Sequence, residues 1–261
     1  MEPEISNQSL LFLVVFVLIP LSLSYFYQLG LNKNIIWSSL RGTVQLFAIG
    51  YLLTYLFELP AIIGIPFMIS IMLTVAAFHA RKKGKGLPNV LLYIFIGLLV
   101  IEVSVLGLWL IFDMVAFTPS EVIPMSGMVI GNSMVAMGLA LERMKNEFKE
   151  NNGRLLAALS LGAKPSVASK LIVQKTLNAA LIPNVDQLKT IGLVQLPGMM
   201  TGLILGGVAP VTAIKYQLVI SISIFSSVSL SAMFITLAMY RYFFNEQGQL
   251  VDSEEEIRSE A

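Results

Sequence analysis

Glu102 stands near the middle of the apolar stretch LLYIFIGLLVIEVSVLGLWLIF, residues 91–112. A charge at bilayer centre costs about 2.5–3.5 kcal/mol on insertion scales, so such a residue faces protein interior or water. Two readings are open: a carboxylate way-station for a cation, or a protonated Glu hydrogen-bonded to a neighbouring helix. Asp186 and Lys189 are three residues apart and can pair on one helix face. That pair reads either as a structural salt bridge near the interface or as part of a transport site. Pro183 suits the start of their helix. Arg41 and Gln45, one turn apart, either snorkel or line a pore.

In MSGMVIGNSMVAMG, Gly127 and Gly131 let helices approach closely, and Asn132 can hydrogen-bond across the contact. The alternative places Asn132 on a pathway wall. Met125, Met128, Met134, Met137, Met199 and Met200 offer either core packing or soft thioethers, which suit Cu(I) better than Fe(II) or Al(III). In QLPGMMTG, Pro197 removes a backbone donor and Gly198 loosens the helix beside it. Such breaks are tolerated where backbone lines a cavity, so Leu196, Pro197, Gly198 and Met199 form a candidate hinge or exposed backbone. His79 is the single histidine and there is no cysteine. Thiol catalysis, zinc-thiolate sites and His-rich metal centres are thereby excluded, and no nucleophile–base arrangement points to an enzyme. No metal-ligand set can be assembled from local spacing.

The chain has 261 residues, of which 56% are hydrophobic and 13% charged. Soluble domains carry about a quarter charged residues, so this is the composition of an all-α integral membrane protein. Seven stretches are long enough to span: 9–29, 37–57, 61–80, 89–112, 122–141, 184–207 and 213–240. The sixth carries Asp186 and Lys189 in its first turns and Pro197-Gly198 in its middle. The last is long enough to tilt or project. Met1–Leu10 is acidic, without the basic region of a signal peptide, so the first stretch reads as a retained span. Lys and Arg then crowd alternate connections, with Arg81, Lys82, Lys83 and Lys85 in the third and seven basic residues in the fifth. This bias predicts an amino terminus outside and a carboxyl terminus in the cytoplasm. Residues 1–241 read as one membrane domain, and the acidic residues 242–261 as a solvated, disordered tail.

The fifth connection, residues 142–182, is the longest excursion. A polar lead is followed by a short helix, 155–161, a break at Gly162-Ala163-Lys164-Pro165, and a second helix from about Ser166. The second helix carries a polar stripe at Lys170, Gln174 and Asn178. A helix–Gly–helix element with small residues is a knob that a soluble partner can grip. An amphipathic hairpin lying on anionic lipid is the other reading.

LAALSLGA, 156–163, resembles the EAA-type loop of ABC transporter permeases: Ala157, Ala158 and Gly162 fall on its pattern, while Leu156 replaces the acidic residue. A wider resemblance rests on VIPMSGMVIGNSMVAMGLALERM, LSLGAKPSVAS and ALIPNVDQLKTIGLVQLPGMMTGLILGGVAPVTAIKYQ. With the seven-span layout, these resemble the FetB-type family of iron-export ABC transporter permeases, which includes plant aluminium-tolerance permeases. The resemblance covers nearly the whole chain. It implies a permease subunit in the cell membrane, a homodimer paired with a separate ATP-binding subunit, moving a small solute such as a metal cation outward. Ala157, Ala158, Ser160, Leu161, Gly162, Ala163 and Lys164 would be the coupling helix. No G-x-x-x-x-G-K-[ST] loop occurs, so ATP and Mg would be bound by the partner and no cofactor by this chain. Gln45, Glu102, Asn132, Asp186, Lys189, Pro197, Gly198 and Met199 are the candidate path residues. Nucleotide sugars or lipids are alternative solutes, and a proton-coupled transporter or channel is the alternative class. Nothing suggests nucleic acid.

Overall fold

A computed structural model describes residues 12–251 and is helical throughout, apart from two isolated bridges. The ends of the first predicted span and of the acidic tail, before 12 and after 251, lie outside the described residues. The chain divides into two compact units, Met1–Pro60 and Ala61–Ala261.

In the first unit, α1 (Leu13–Phe26) packs against α2 (Asn32–Glu58) through a turn in which Gln28 and Gly30 have positive φ. α2 is long and apolar enough to span, and Arg41 and Gln45 lie one turn apart on it, both exposed.

The second unit is built around α5 (Pro119–Glu150), on which α3 (Ala61–Ala80), α4 (Val90–Ile111), α8 (Lys170–Thr190) and α10 (Pro210–Met239) all pack. Pro119 presets φ for the first turn of α5, and Glu121 accepts the Ala116 amide at 3.0 Å while complementing the helix dipole. Directions follow from the contacts. Met72 meets Gly127 and Lys83 meets Gly138, so α3 and α5 run parallel. Trp109 Nε1 donates to Ser223 Oγ at 2.8 Å, Gly97 meets Phe234, and the Tyr93 and Tyr242 hydroxyls are 3.0 Å apart. Those pairs descend α4 as they ascend α10, so the two are antiparallel.

Phe67, Leu92, Val103, Leu108, Ile222 and Leu230 are among many large apolar side chains left exposed on these helices. A soluble protein does not display apolar surface on that scale, but lipid covers it without cost. At Gly97 the packing is tight: an added Cβ would lie 2.7 Å from the Phe234 ring and 2.9 Å from Met137 Cε. Gly97→Ala is therefore expected to cost about 1–3 kcal/mol by overpacking, read as a lower unfolding temperature in detergent; an unchanged temperature would contradict this packing.

Five helices of the described residues are long and apolar enough to cross a membrane: α2, α3, α4, α5 and α10 with its 3₁₀ extension. α1 is shorter. The sixth predicted span, 184–207, is corrected most. It is not one helix but the end of α8, an irregular 191–197, and the eight-residue α9 (Gly198–Leu205). Gly192 turns the chain with φ +80°, the Thr190 carbonyl accepts the amides of Leu193, Val194 and Gln195, and Pro197 stands extended before α9. α8 begins at Lys170, near the start expected for the second helix of the connection. It runs on unbroken into the residues read as the sixth span, so Pro183 lies inside it rather than at its start. Within the expected connection 142–182, α5 runs on to Glu150 and α8 starts at Lys170, so 151–169 is the part between these two helices.

Candidate functional site

α5 has 32 residues, about 48 Å, against a hydrocarbon core of about 30 Å, and apart from Glu121 the charges of the helix gather in its last turns, from Glu142 to Glu150. Lys83 Nζ donates to Glu142 Oε2 at 2.7 Å, and Lys145 Nζ to the Lys85 carbonyl. These bonds bring the basic turn 81–85 to that charged end of α5, where the 151–169 connection also begins. The stacked rings of Phe148 and Phe243, 4.0 Å apart, put the carboxyl-terminal end of α10 at that end too. Three basic or polar segments thus share one face of the unit.

The connection consists of α6 (Asn152–Ser160), a break, and α7 (Pro165–Ala168). Gly162 closes α6 in a Schellman motif: its amide donates to the Leu159 carbonyl, the Ala163 amide to the Ala158 carbonyl, and its φ is +84°. That φ is why glycine stands here. Leu155 is buried and anchors the helix, whereas Leu161 is 89% exposed at its tip. Ala157, Ser160, Gly162 and Lys164 are also exposed, and Ala158 and Ala163 half-buried. A short turn, Asn245–Gln249, reaches back so that Gly248 packs beside Pro165.

Below the connection, Glu147 is a fully buried side chain joining α5 to α8. Arg143 Nη2 lies 2.6 Å from its Oε1; Lys175 Nζ lies 3.0 Å and Asn151 Nδ2 2.9 Å from its Oε2. Burial alone pushes this carboxyl up. The Lys175 hydrogen bond, the Lys175 and Arg143 charges and the Asn151 hydrogen bond outweigh burial and hold it below the usual carboxylate range. Sequence reasoning missed Glu147, although the i, i+4 spacing of Arg143, Glu147 and Asn151 was a usable signal.

Higher on α5 lies a cavity of about 200 Å³, lined by α5, α8, the start of α9 and α10. Asn132, Pro197, Gly198 and Met199 from the sequence-predicted set line it, together with Met128. Asn184, Gln187, Gln195, Gln217 and Ser221 also line it and were not anticipated. Asn132 Nδ2 donates to the Met128 carbonyl at 2.8 Å and Gln217 Nε2 to Ser221 Oγ at 2.8 Å. No charged side chain is in the lining.

Glu102, Asp186 and Lys189 do not line this cavity. Asp186 and Lys189 pair at 2.8 Å with most of both side chains exposed, an arrangement worth under about 1 kcal/mol. Glu102 is buried on α4, and neither carboxyl oxygen has a hydrogen bond of acceptable geometry. The Ser126 hydroxyl of α5 is the polar group beside it. Met125 and Met137 are fully buried packing residues, and His79 is exposed. Among the described residues no three His, Cys, Asp or Glu side chains converge on a metal position.

Residues 7–244 match an uncharacterised protein family, UPF0014. The chain is 37% identical over 248 residues to the Escherichia coli K12 protein named "probable iron export permease protein FetB", covering 95% of this chain and 96% of that one. It is 36% identical to the UPF0014 membrane protein YjkA of Bacillus subtilis, covering 94% and 98%. It is 31% identical to the Arabidopsis thaliana protein ALUMINUM SENSITIVE 3, covering 91% and 87%. No solved structure matches it.

Proposed function

The chain belongs to the UPF0014 family of multi-pass membrane proteins, and from that membership we propose that it is the permease subunit of an ABC transporter. In this reading it moves a metal cation, iron, out of the cell across the cell membrane. It works as a homodimer and binds a separate ABC subunit that holds Mg and ATP. The observation that carries the reading is the near full-length likeness to a relative named as an iron export permease.

The connection 151–169 supplies the mechanical part. Exposed Leu161 and its small neighbours form the surface an ATPase would hold. The Glu147 clamp transmits displacement of that knob to α5 and α8. α8 ends at the cavity, so a shift of α8 alters the cavity wall. ATP-driven closure of the partner thus reaches the path through two packed elements.

The test is recovery of the partner. When the tagged chain is purified from its native membrane in mild detergent, an ABC ATPase is expected with wild type and not with Gly162→Asp. Asp at φ +84° strains the Schellman turn and puts a carboxylate on the gripping surface. Failure to recover an ATPase with wild type, even after crosslinking, would remove the reading. A proton-coupled mechanism would then take its place, favoured by the enclosed, unpartnered Glu102.

A further inference from the structure

Asn132 and Gln217 face the cavity with their amide nitrogens already committed. The Asn132 nitrogen is fixed by chemistry, because the Met128 carbonyl can only accept. Its Oδ1 is therefore the end left over. Gln217 donates to Ser221, and its Oε1 is buried without a partner. Among the described residues no side-chain hydrogen bond is made by Asn184, Gln187 or Gln195, although all three line the same space. The buried Gln217 Oε1 is the unsatisfied amide atom here, and a buried polar atom without a partner calls for an explanation. Asn184 is half-buried, and Gln187 and Gln195 lie exposed at the rim.

We propose that this cavity is the solute site, and that it recognises its solute through hydrogen-bond donors arrayed on the solute's surface rather than through direct metal–ligand bonds. The donors are either the water shell of a hydrated divalent cation or the hydroxyls of a polyol. The assignment rests on the permease reading and deepens it.

Two features of the lining and the cost of dehydration argue against a stripped cation. The lining offers no carboxylate, imidazole or thiolate, and carboxamide oxygens, which hard ions accept alongside carboxylates, bring no charge of their own. Stripping the water from a multivalent ion is costly, and neutral amides at fixed positions offset that cost poorly. Met128 and Met199 would suit only a soft monovalent ion. A donor-covered solute meets none of these objections. Carboxamide oxygens accept its O–H groups, and the freely oriented amides of Asn184, Gln187 and Gln195 complete the shell from either end. About 200 Å³ equals the liquid volume of roughly six or seven waters. An octahedral ion with its first shell, or a six-carbon polyol, is of that order. A neutral lining also binds weakly, which release on the far side requires.

Unfolding temperature of the purified full-length chain in detergent provides the test. The additives are cobalt(III) hexaammine, millimolar sorbitol and ferrous ion. The hexaammine complex cannot exchange its ligands, so it reports binding through a donor shell. A rise with cobalt hexaammine is expected for a hydrated cation, and a rise with sorbitol for a polyol. Asn132→Leu and Gln217→Leu each weaken the response about 10-fold, and Gln187→Leu, at an exposed and tolerant position, about 3-fold, from the net worth of one or two hydrogen bonds. No response to either probe, a response to ferrous ion alone, or a response unchanged in all three variants would overturn the assignment. Recovery of the ATPase is measured on the same variants. Its loss from wild type would defeat the permease reading while leaving the binding result intact.

Discussion

Glu147→Ala is expected to lower the stability of the second unit by about 2 kcal/mol and to abolish solute transport while the ATPase still binds. The destabilisation follows from the clamp's geometry. Removing one partner of a buried ion pair costs about 3–5 kcal/mol when the other charge is left buried and unpaired. Here Arg143 and Lys175 are 43% and 42% exposed, so water can take over part of what Glu147 provided. The loss of transport follows from position. Glu147 ties the connection's base to both α5 and α8, and without it a pull on α6 moves α6 alone. Exposed Leu161 and the Gly162 turn are untouched, so the ATPase is retained. Glu147→Gln keeps one oxygen acceptor and is expected to recover part of the stability but little transport. Parallel unfolding, co-purification and transport measurements decide it. Loss of ATPase binding in Glu147→Ala would show that the clamp shapes the gripping surface instead of transmitting its motion.

The clamp also has a pH signature. Because the Glu147 carboxyl sits lower in the folded chain than its ordinary value, its contribution is complete above that ordinary value and is lost as pH falls through the depressed one. Glu147→Ala therefore approaches wild type in stability only in strong acid.

Glu102→Met is expected to raise stability by about 1–3 kcal/mol and to reduce transport at least 10-fold. Both carboxyl oxygens of Glu102 are enclosed without hydrogen bonds, and burying such a group unsatisfied costs about that much. Methionine fills nearly the same volume without the penalty. An ionisable residue enclosed within a span is a candidate for function by default, and the transport arm of this variant tests whether Glu102 serves the path. If Glu102→Met is more stable and transports at the wild-type rate, Glu102 has no place on the path. If it is less stable, the carboxyl has a bonding role that its surroundings conceal.

The parts legible in the sequence were those with strong local signals. Gly162 followed by Ala163-Lys164-Pro165 marked the helix end, and the structure places a Schellman turn there. Pro197-Gly198 marked a break, and the chain is broken there. The extent of α8 was only partly legible. A helix carrying Lys170 was expected, but not that it would run on through Pro183 to Thr190. It is held to α5 by buried Ile172, Thr176 and Ala180 and by the pairing of Lys175 with Glu147. The carboxamide cavity was hidden for another reason. Asn184, Gln187, Gln195 and Gln217 are uncharged, carry no motif, and share a cavity with Asn132 only because α8 and α10 pack back against α5 and the turn after α8 reaches the same space. Charge drew attention to Asp186 and Lys189 instead, which lie on the exposed side of the same helix.

The most direct measurement is ferrous-ion accumulation in inside-out membrane vesicles that hold this chain together with its ABC ATPase. The account predicts accumulation that requires ATP and disappears with Gly162→Asp. Accumulation driven by an imposed pH gradient without ATP, and insensitive to Gly162→Asp, would contradict it.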